Sequence, residues 1–97
     1  KKINDLDIIC FYSEHNTTYI LNKENRSFIV NKSLEKLEDE LNADLFFRIN
    51  RKFIINKTYI NNIKNENQKQ VFLSVKTDFD FIISKLKAKA FIDWYKK

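Results

Sequence analysis

The chain has 97 residues, no glycine, no proline, one cysteine, 43% hydrophobic residues and a formal charge of +5. Without glycine there is no phosphate-cradling loop and no nucleophile elbow, and Cys10 alone closes no internal disulfide. One histidine and one cysteine do not make a zinc site of the usual spacing, and no apolar run approaches the ~20 residues that span a bilayer.

What remains is one folded domain, expected in the cytoplasm and without a cofactor. Its charge is uneven. Residues 1–47 carry a net −3 and residues 48–97 a net +8. A basic half suits nucleic acid, an anionic membrane surface or an acidic protein, and equally a solvated face with no partner.

In chain order, Asp7–Tyr12 reads as a mostly apolar strand and Ser13–Asn16 as a polar loop. Thr17–Asn22 is β-branched and aromatic, a second strand. Lys23–Asn25 turns the chain into a third strand, Arg26–Val30, so that residues 17–30 form a hairpin. Asparagine takes turn positions that glycine would hold, because it tolerates positive φ well; an AT-rich coding sequence would give the same bias. Ser33 predicts a helix N-cap, with Leu34, Leu37 and Leu41 on one stripe, Glu35 in the first turn and Asn42 as the stop. Glu38, Asp39 and Glu40 fall on the other side, which is expected to point away from any polyanion.

Leu45–Asn56 places Arg48, Arg51 and Lys52 between apolar blocks, the pattern of a basic turn anchored on both sides. Tyr59, Ile60 and Ile63 continue as a short strand, and Asn65–Gln68 is a turn. Val71, Leu73 and Val75 alternate, as do Phe79, Phe81 and Ile83 beyond a turn at Thr77-Asp78, giving a second hairpin. Ser84 then predicts a second N-cap, with Leu86, Ala90, Phe91 and Trp94 on the buried stripe. Lys85, Lys87 and Lys89 near that helix start oppose its dipole, which favours a ligand-facing role for them. Phe11, Phe28, Phe46, Phe53, Phe72 and Phe81 are expected in the core. Cys10 is expected to be an inert buried strand residue, and Asn56 to satisfy backbone groups.

These residues resemble the LytTR DNA-binding domain. The resemblance rests on Ser33-Leu34-x-x-Leu37-x-x-x-Leu41, then Phe46-Phe47-Arg48-Ile49-Asn50-Arg51-Lys52-Phe53-Ile54-Ile55-Asn56, then Ile60 and Ile63. It spans about Asp7 to Tyr95, leaving residues 1–6 as the end of an interdomain linker and 7–97 as the domain. It implies a mostly β fold with two short helices and small antiparallel sheets in an elongated arrangement. It implies sequence-specific binding of double-stranded DNA for transcription regulation, and no enzymatic activity. The domain would be the output half of a bacterial two-component response regulator, behind a phosphorylatable receiver domain. Its loops would enter successive major grooves, and two copies would bind paired imperfect repeats, a possible dimer on DNA.

Residue by residue, the resemblance gives three contact regions. The first is Ser13, His15, Asn16, Thr17 and Thr18, with the base-reading position near Thr17. The second is Arg48, Asn50, Arg51 and Lys52, with Arg51 at the base-contacting position. The third is Lys85, Lys87 and Lys89, where Ser84-Lys85 departs from the family's usual Ser-Arg and loses the bidentate fork. Arg51 offers two aligned donors to guanine O6 and N7; its structural alternative is an ion pair with a neighbour such as Asp44. Arg48, between apolar residues, is either an ion-pair partner or a phosphate clamp. His15 is a phosphate or base contact or a free loop residue. The lysines fit phosphate contacts, which position a protein without reading sequence. The competing reading is a protein-interaction module whose basic face meets an acidic partner.

Overall fold

The computed structural model describes residues 4–65 and 68–97. Among them are eight strands and two α-helices: β1 (Ile8–Glu14), β2 (Thr17–Asn22), β3 (Ser27–Val30), α1 (Leu34–Glu40), β4 (Phe46–Arg48), β5 (Phe53–Asn56), β6 (Ile60–Asn65), β7 (Lys69–Leu73), β8 (Phe81–Ile82) and α2 (Ala88–Tyr95). The strands form two antiparallel sheets, ordered β3-β2-β1-β5-β4 and β6-β7-β8. This is the mostly β, two-helix class that the sequence predicts, and it measures 38 × 27 × 25 Å. The centre of the expected turn at Asn65–Gln68 and the first half of the expected linker lie outside the described residues.

Local chemistry explains most element boundaries. His15 and Asn16 both adopt positive φ, 52° and 63°, which lets β1 turn into β2 across two residues. Strand β1 therefore runs two residues further than expected, through Ser13 and Glu14, and the polar loop shrinks to a tight turn. Asn25, at φ 64°, supplies the next left-handed position, while the Asn22 side chain accepts from the Glu24 and Arg26 amides at 3.0 and 2.9 Å. Ser33 caps α1 by accepting from the Lys36 amide at 3.1 Å. The helix closes one residue before the expected stop, and Asn42 instead accepts from the Asp44 amide.

The five-stranded sheet is covered on both faces, and strand alternation sorts its side chains. Phe11 and Ile54 face α1, where they pack with Ile8, Leu34, Leu37 and Phe46. Cys10, Tyr12, Phe53 and Ile55 face the other way, toward Val71, Phe81, Ile83, Phe91 and Trp94 of the second sheet and α2. The β1–β2 register shifts between Ile8 and Cys10, and that irregularity turns Ile9 onto the same side as Cys10. Each large apolar side chain so buried stabilises the fold by roughly 1.5–3 kcal/mol. Burial also pushes the Cys10 thiol up to about 12, which makes it inert at neutral pH.

Asn56 is fully buried and ties the chain start to the sheet. Its amide donates to the Asp5 and Ile8 carbonyls at 3.1 and 2.8 Å, and its oxygen accepts from the Thr58 amide at 2.8 Å. Residues Asp5–Asp7 form a 3-10 turn here, so the first strand begins at Ile8, one residue later than the sequence suggests. At the opposite end Lys57 donates to the Trp94 carbonyl at 2.9 Å, a cation on the C-terminal turn of α2.

Three further expectations about burial and capping fail. Phe28 is 43% exposed, because β3 is an edge strand, and Phe72 of β7 is only half-buried and outside both core clusters. Val75 and Phe79 pack against the core from outside the β7–β8 ladder, which is shorter than the alternation suggests. Ser84 does not cap an α-helix. It precedes a 3-10 turn at Lys85–Lys87 and makes no side-chain capping bond, and α2 starts only at Ala88.

Candidate nucleic-acid interface

The turn between β4 and β5 is the hub to which the neighbouring segments attach. Asn50 builds it. Its oxygen accepts from the Lys52 and Phe53 amides at 2.7 and 2.9 Å, and its amide donates to the Ile82 carbonyl at 2.6 Å. Both ends of the side chain are thus engaged inside the protein. The Ser84 amide donates to the Ile49 carbonyl at 2.9 Å, which fixes the segment after β8 to the same turn. The Ser13 amide donates to the Lys52 carbonyl at 3.0 Å, which fixes the β1–β2 turn on the other side. Three stretches far apart in sequence therefore share one rigid frame.

Arg48 and Arg51 behave differently. The Arg48 side chain is only 12% exposed. Its Nε donates to the Asn50 carbonyl at 3.1 Å and its Nη2 to the Arg51 carbonyl at 2.9 Å, so it staples the turn from within. Its Nη1 lies 3.3 Å from Glu35 and 3.4 Å from Glu38. Of the two roles open from sequence, the ion pair is the one the structure contains. Arg51 is exposed, and among the described residues no carboxylate lies within 4.0 Å of it, so the pairing with Asp44 does not form.

Beside this turn runs a groove of about 720 Å³, lined among others by Ser13, Asn16, Thr17, Thr18, Arg48 and Arg51. Six of the twelve candidate contact residues thus converge on one concave surface. Hydroxyls, two amides, an ammonium, two guanidiniums and the Glu35 carboxylate line it, and its donors and acceptors suit base edges and phosphates. Thr17 is partly exposed and Thr18 is buried, which leaves Thr17 the more accessible of the pair. His15 sits exposed at the tip of the turn and does not line the groove. Lys52 is exposed at the rim, its ammonium 5.5 Å from the Phe53 ring and 5.9 Å from the Phe79 ring.

The three C-terminal lysines lie outside this groove. Lys85 and Lys89 are exposed, while Lys87 is half-buried with its ammonium 3.6 Å from Glu38. Glu38 thus bridges Lys87 and Arg48, joining the segment after β8 to the central turn through α1.

The acidic helix does not point away from the basic surface. Glu35 lines the groove, and Glu35 and Glu38 both reach the basic turn. The Glu35 carboxyl is held below the usual carboxylate range, first by its own backbone amide in the opening turn of α1 and then by Arg48. Asn31, Lys32 and Ser33 also line the groove and were not anticipated. No local signal marks them, because the groove exists only once β3 is paired at the sheet edge.

Among the described residues no group of three or more His, Cys, Asp or Glu side chains is placed to hold a metal. No helix is long and apolar enough to cross a membrane.

Fold and surface together define a small two-sheet β domain built around a basic turn and an adjoining polar groove. The family model for the LytTr DNA-binding domain matches residues 1–96, and the chain belongs to that family. Among solved structures it is similar to one described as the LytTr DNA-binding domain of a methyl-accepting/DNA response regulator from Bacillus cereus. The TM-score is 0.79 at 22% identity, covering 96% of this chain and 91% of that one. A comparison with curated proteins found no match.

Proposed function

We propose that this domain binds double-stranded DNA and reads its sequence in the major groove, as the transcription-regulating output half of a two-component response regulator in the bacterial cytoplasm. Arg51 donates to guanine O6 and N7, and Thr17 and Asn16 reach base edges from the adjoining turn. Lys52, Lys85 and Lys89 contact phosphates and set the register. Arg48 and Asn50 hold the turn and act on DNA through it. Two copies occupy paired imperfect repeats, and a phosphorylatable receiver domain elsewhere in the full protein controls their joining. The observation that carries this reading is the exposed Arg51, without a carboxylate partner among the described residues, on a turn braced by the Asn50 and Arg48 side chains at the mouth of a polar groove. Membership in a DNA-binding family supports it.

The test is fluorescence anisotropy with a labelled random duplex pool, titrated across salt, with sequencing of the bound fraction. Phosphate contacts by the three lysines of each domain give a slope of log K against log salt of about −3 per bound domain. A paired motif should be enriched. Binding without an enriched motif would leave a basic surface only, and a slope near zero would remove DNA from the account.

A further inference from the structure

Leu86 is 98% exposed, the most exposed large apolar residue described. The buried stripe that the sequence predicts for it does not form, because Lys85–Lys87 is a 3-10 turn ahead of α2. Tighter winding carries each residue further round the axis than an α-helix does, and Leu86 leaves the side that Phe91 and Trp94 bury.

The exposed leucine is nevertheless held firmly. The Lys87 amide closes the turn on the Ser84 carbonyl at 3.0 Å, and the Ser84 amide is bonded to the Ile49 carbonyl. Ile83 before it and Phe91 after it are buried. Ile49 also begins the turn that presents Arg51, so Leu86 and Arg51 project from one frame.

Its chain neighbours are cationic. Lys85 and Lys89 are exposed, and no other exposed large apolar residue lies between Ser84 and Tyr95. A protein-docking patch would gather several apolar side chains. A lone leucine among lysines matches a polyanion that offers one apolar group, and duplex DNA offers such a group in the thymine 5-methyl of the major groove.

We infer that Leu86 is a base-reading residue that packs against the 5-methyl group of a thymine. The inference rests on the duplex-reading function proposed above and adds a specificity element to it.

The experiment repeats the duplex selection with wild type and Leu86→Ala, then replaces each thymine of the wild-type motif with deoxyuridine, which lacks only the methyl group. The variant should melt as wild type does, since the side chain touches little. One thymine preference should vanish in Leu86→Ala. Deoxyuridine at that position should weaken wild-type binding about fourfold, the scale of one buried methyl group, and leave the variant unchanged. The salt slope should be the same for both proteins.

If both proteins keep every thymine preference and respond alike to deoxyuridine, the inference fails while the DNA-reading function stands. If Leu86→Ala weakens binding but no deoxyuridine substitution does, Leu86 acts as something other than a methyl reader and the inference also fails. If wild type enriches no motif, both fall together.

Discussion

At the inner end of the turn between β4 and β5, Arg48 commits its guanidinium to two backbone carbonyls and two carboxylates. At the outer end, three residues on, Arg51 has no carboxylate partner among the described residues and opens onto the groove. The same kind of side chain is thus a brace at one end and, in the function proposed above, a reader at the other. The contrast teaches that one arginine can be spent on holding a turn so that another is left exposed on it. Asn50, between the arginines, adds to the scaffold of the turn by satisfying two amides and one carbonyl.

The largest effect should come from dismantling the scaffold. Asn50→Ala strands two turn amides and the Ile82 carbonyl, and should destabilise the domain by about 3 kcal/mol in a denaturant titration. Binding should fall with it. If stability is untouched, the turn is held by something other than Asn50, and the contrast between its two ends loses its basis.

Arg51→Ala should do the reverse. It should weaken DNA binding by about 2 kcal/mol, roughly thirtyfold, while leaving the melting temperature within about a degree. A change in stability comparable to that of Asn50→Ala would mean that Arg51 is a brace as well.

A subtler comparison is between Lys85, exposed, and Lys87, already beside Glu38. Lys85→Ala should lower the magnitude of the salt slope by about 0.9, the signature of one phosphate contact. Lys87→Ala should change it less, because a carboxylate already neutralises that ammonium in the free protein. Equal slope changes would show that Glu38 releases Lys87 when DNA binds.

The smallest effect concerns Glu35. Its carboxyl is held below the ordinary value of 4.5 by its own amide and by Arg48. A depressed carboxylate adds stability that is fully present above the unfolded value and is lost as pH falls through the folded one. The difference in melting temperature between wild type and Glu35→Gln should therefore be constant near neutrality and shrink from pH 4.5 downward. The carboxyl is exposed, so the difference should be small even at its greatest. A difference that grows on acidification would reverse the assigned sign.

Much of this architecture was legible in the sequence, and the legible parts are local. The first hairpin, the Ser33 cap with its leucine stripe, the basic turn with its apolar anchors and the structural role of Asn56 all follow from residues close together in the chain. The contact between Ser13 and Lys52 and the groove wall of Asn31, Lys32 and Ser33 depend on strand order, which pairs distant residues. Helical periodicity misplaced Leu86, because a bond from Ser84 to Ile49 enforces a 3-10 turn where the pattern suggests the start of an α-helix. The orientation of Glu38 differs from the expected one for a related reason. Glu38 is acidic at the right spacing for a solvated face, yet the helix lies beside Arg48, and that half-buried guanidinium attracts it. Charge pattern gives the composition of a face, and packing decides what the face meets.

The most direct test of the central claim is the motif selected by wild type set beside the motif selected by Arg51→Ala, both at one salt concentration. The account predicts that the variant loses preference at one guanine and keeps the rest of the motif. Replacing that guanine with 7-deazaguanine should weaken wild type and spare the variant. An unchanged motif in Arg51→Ala would contradict the account, because the free end of the turn would then contribute charge alone.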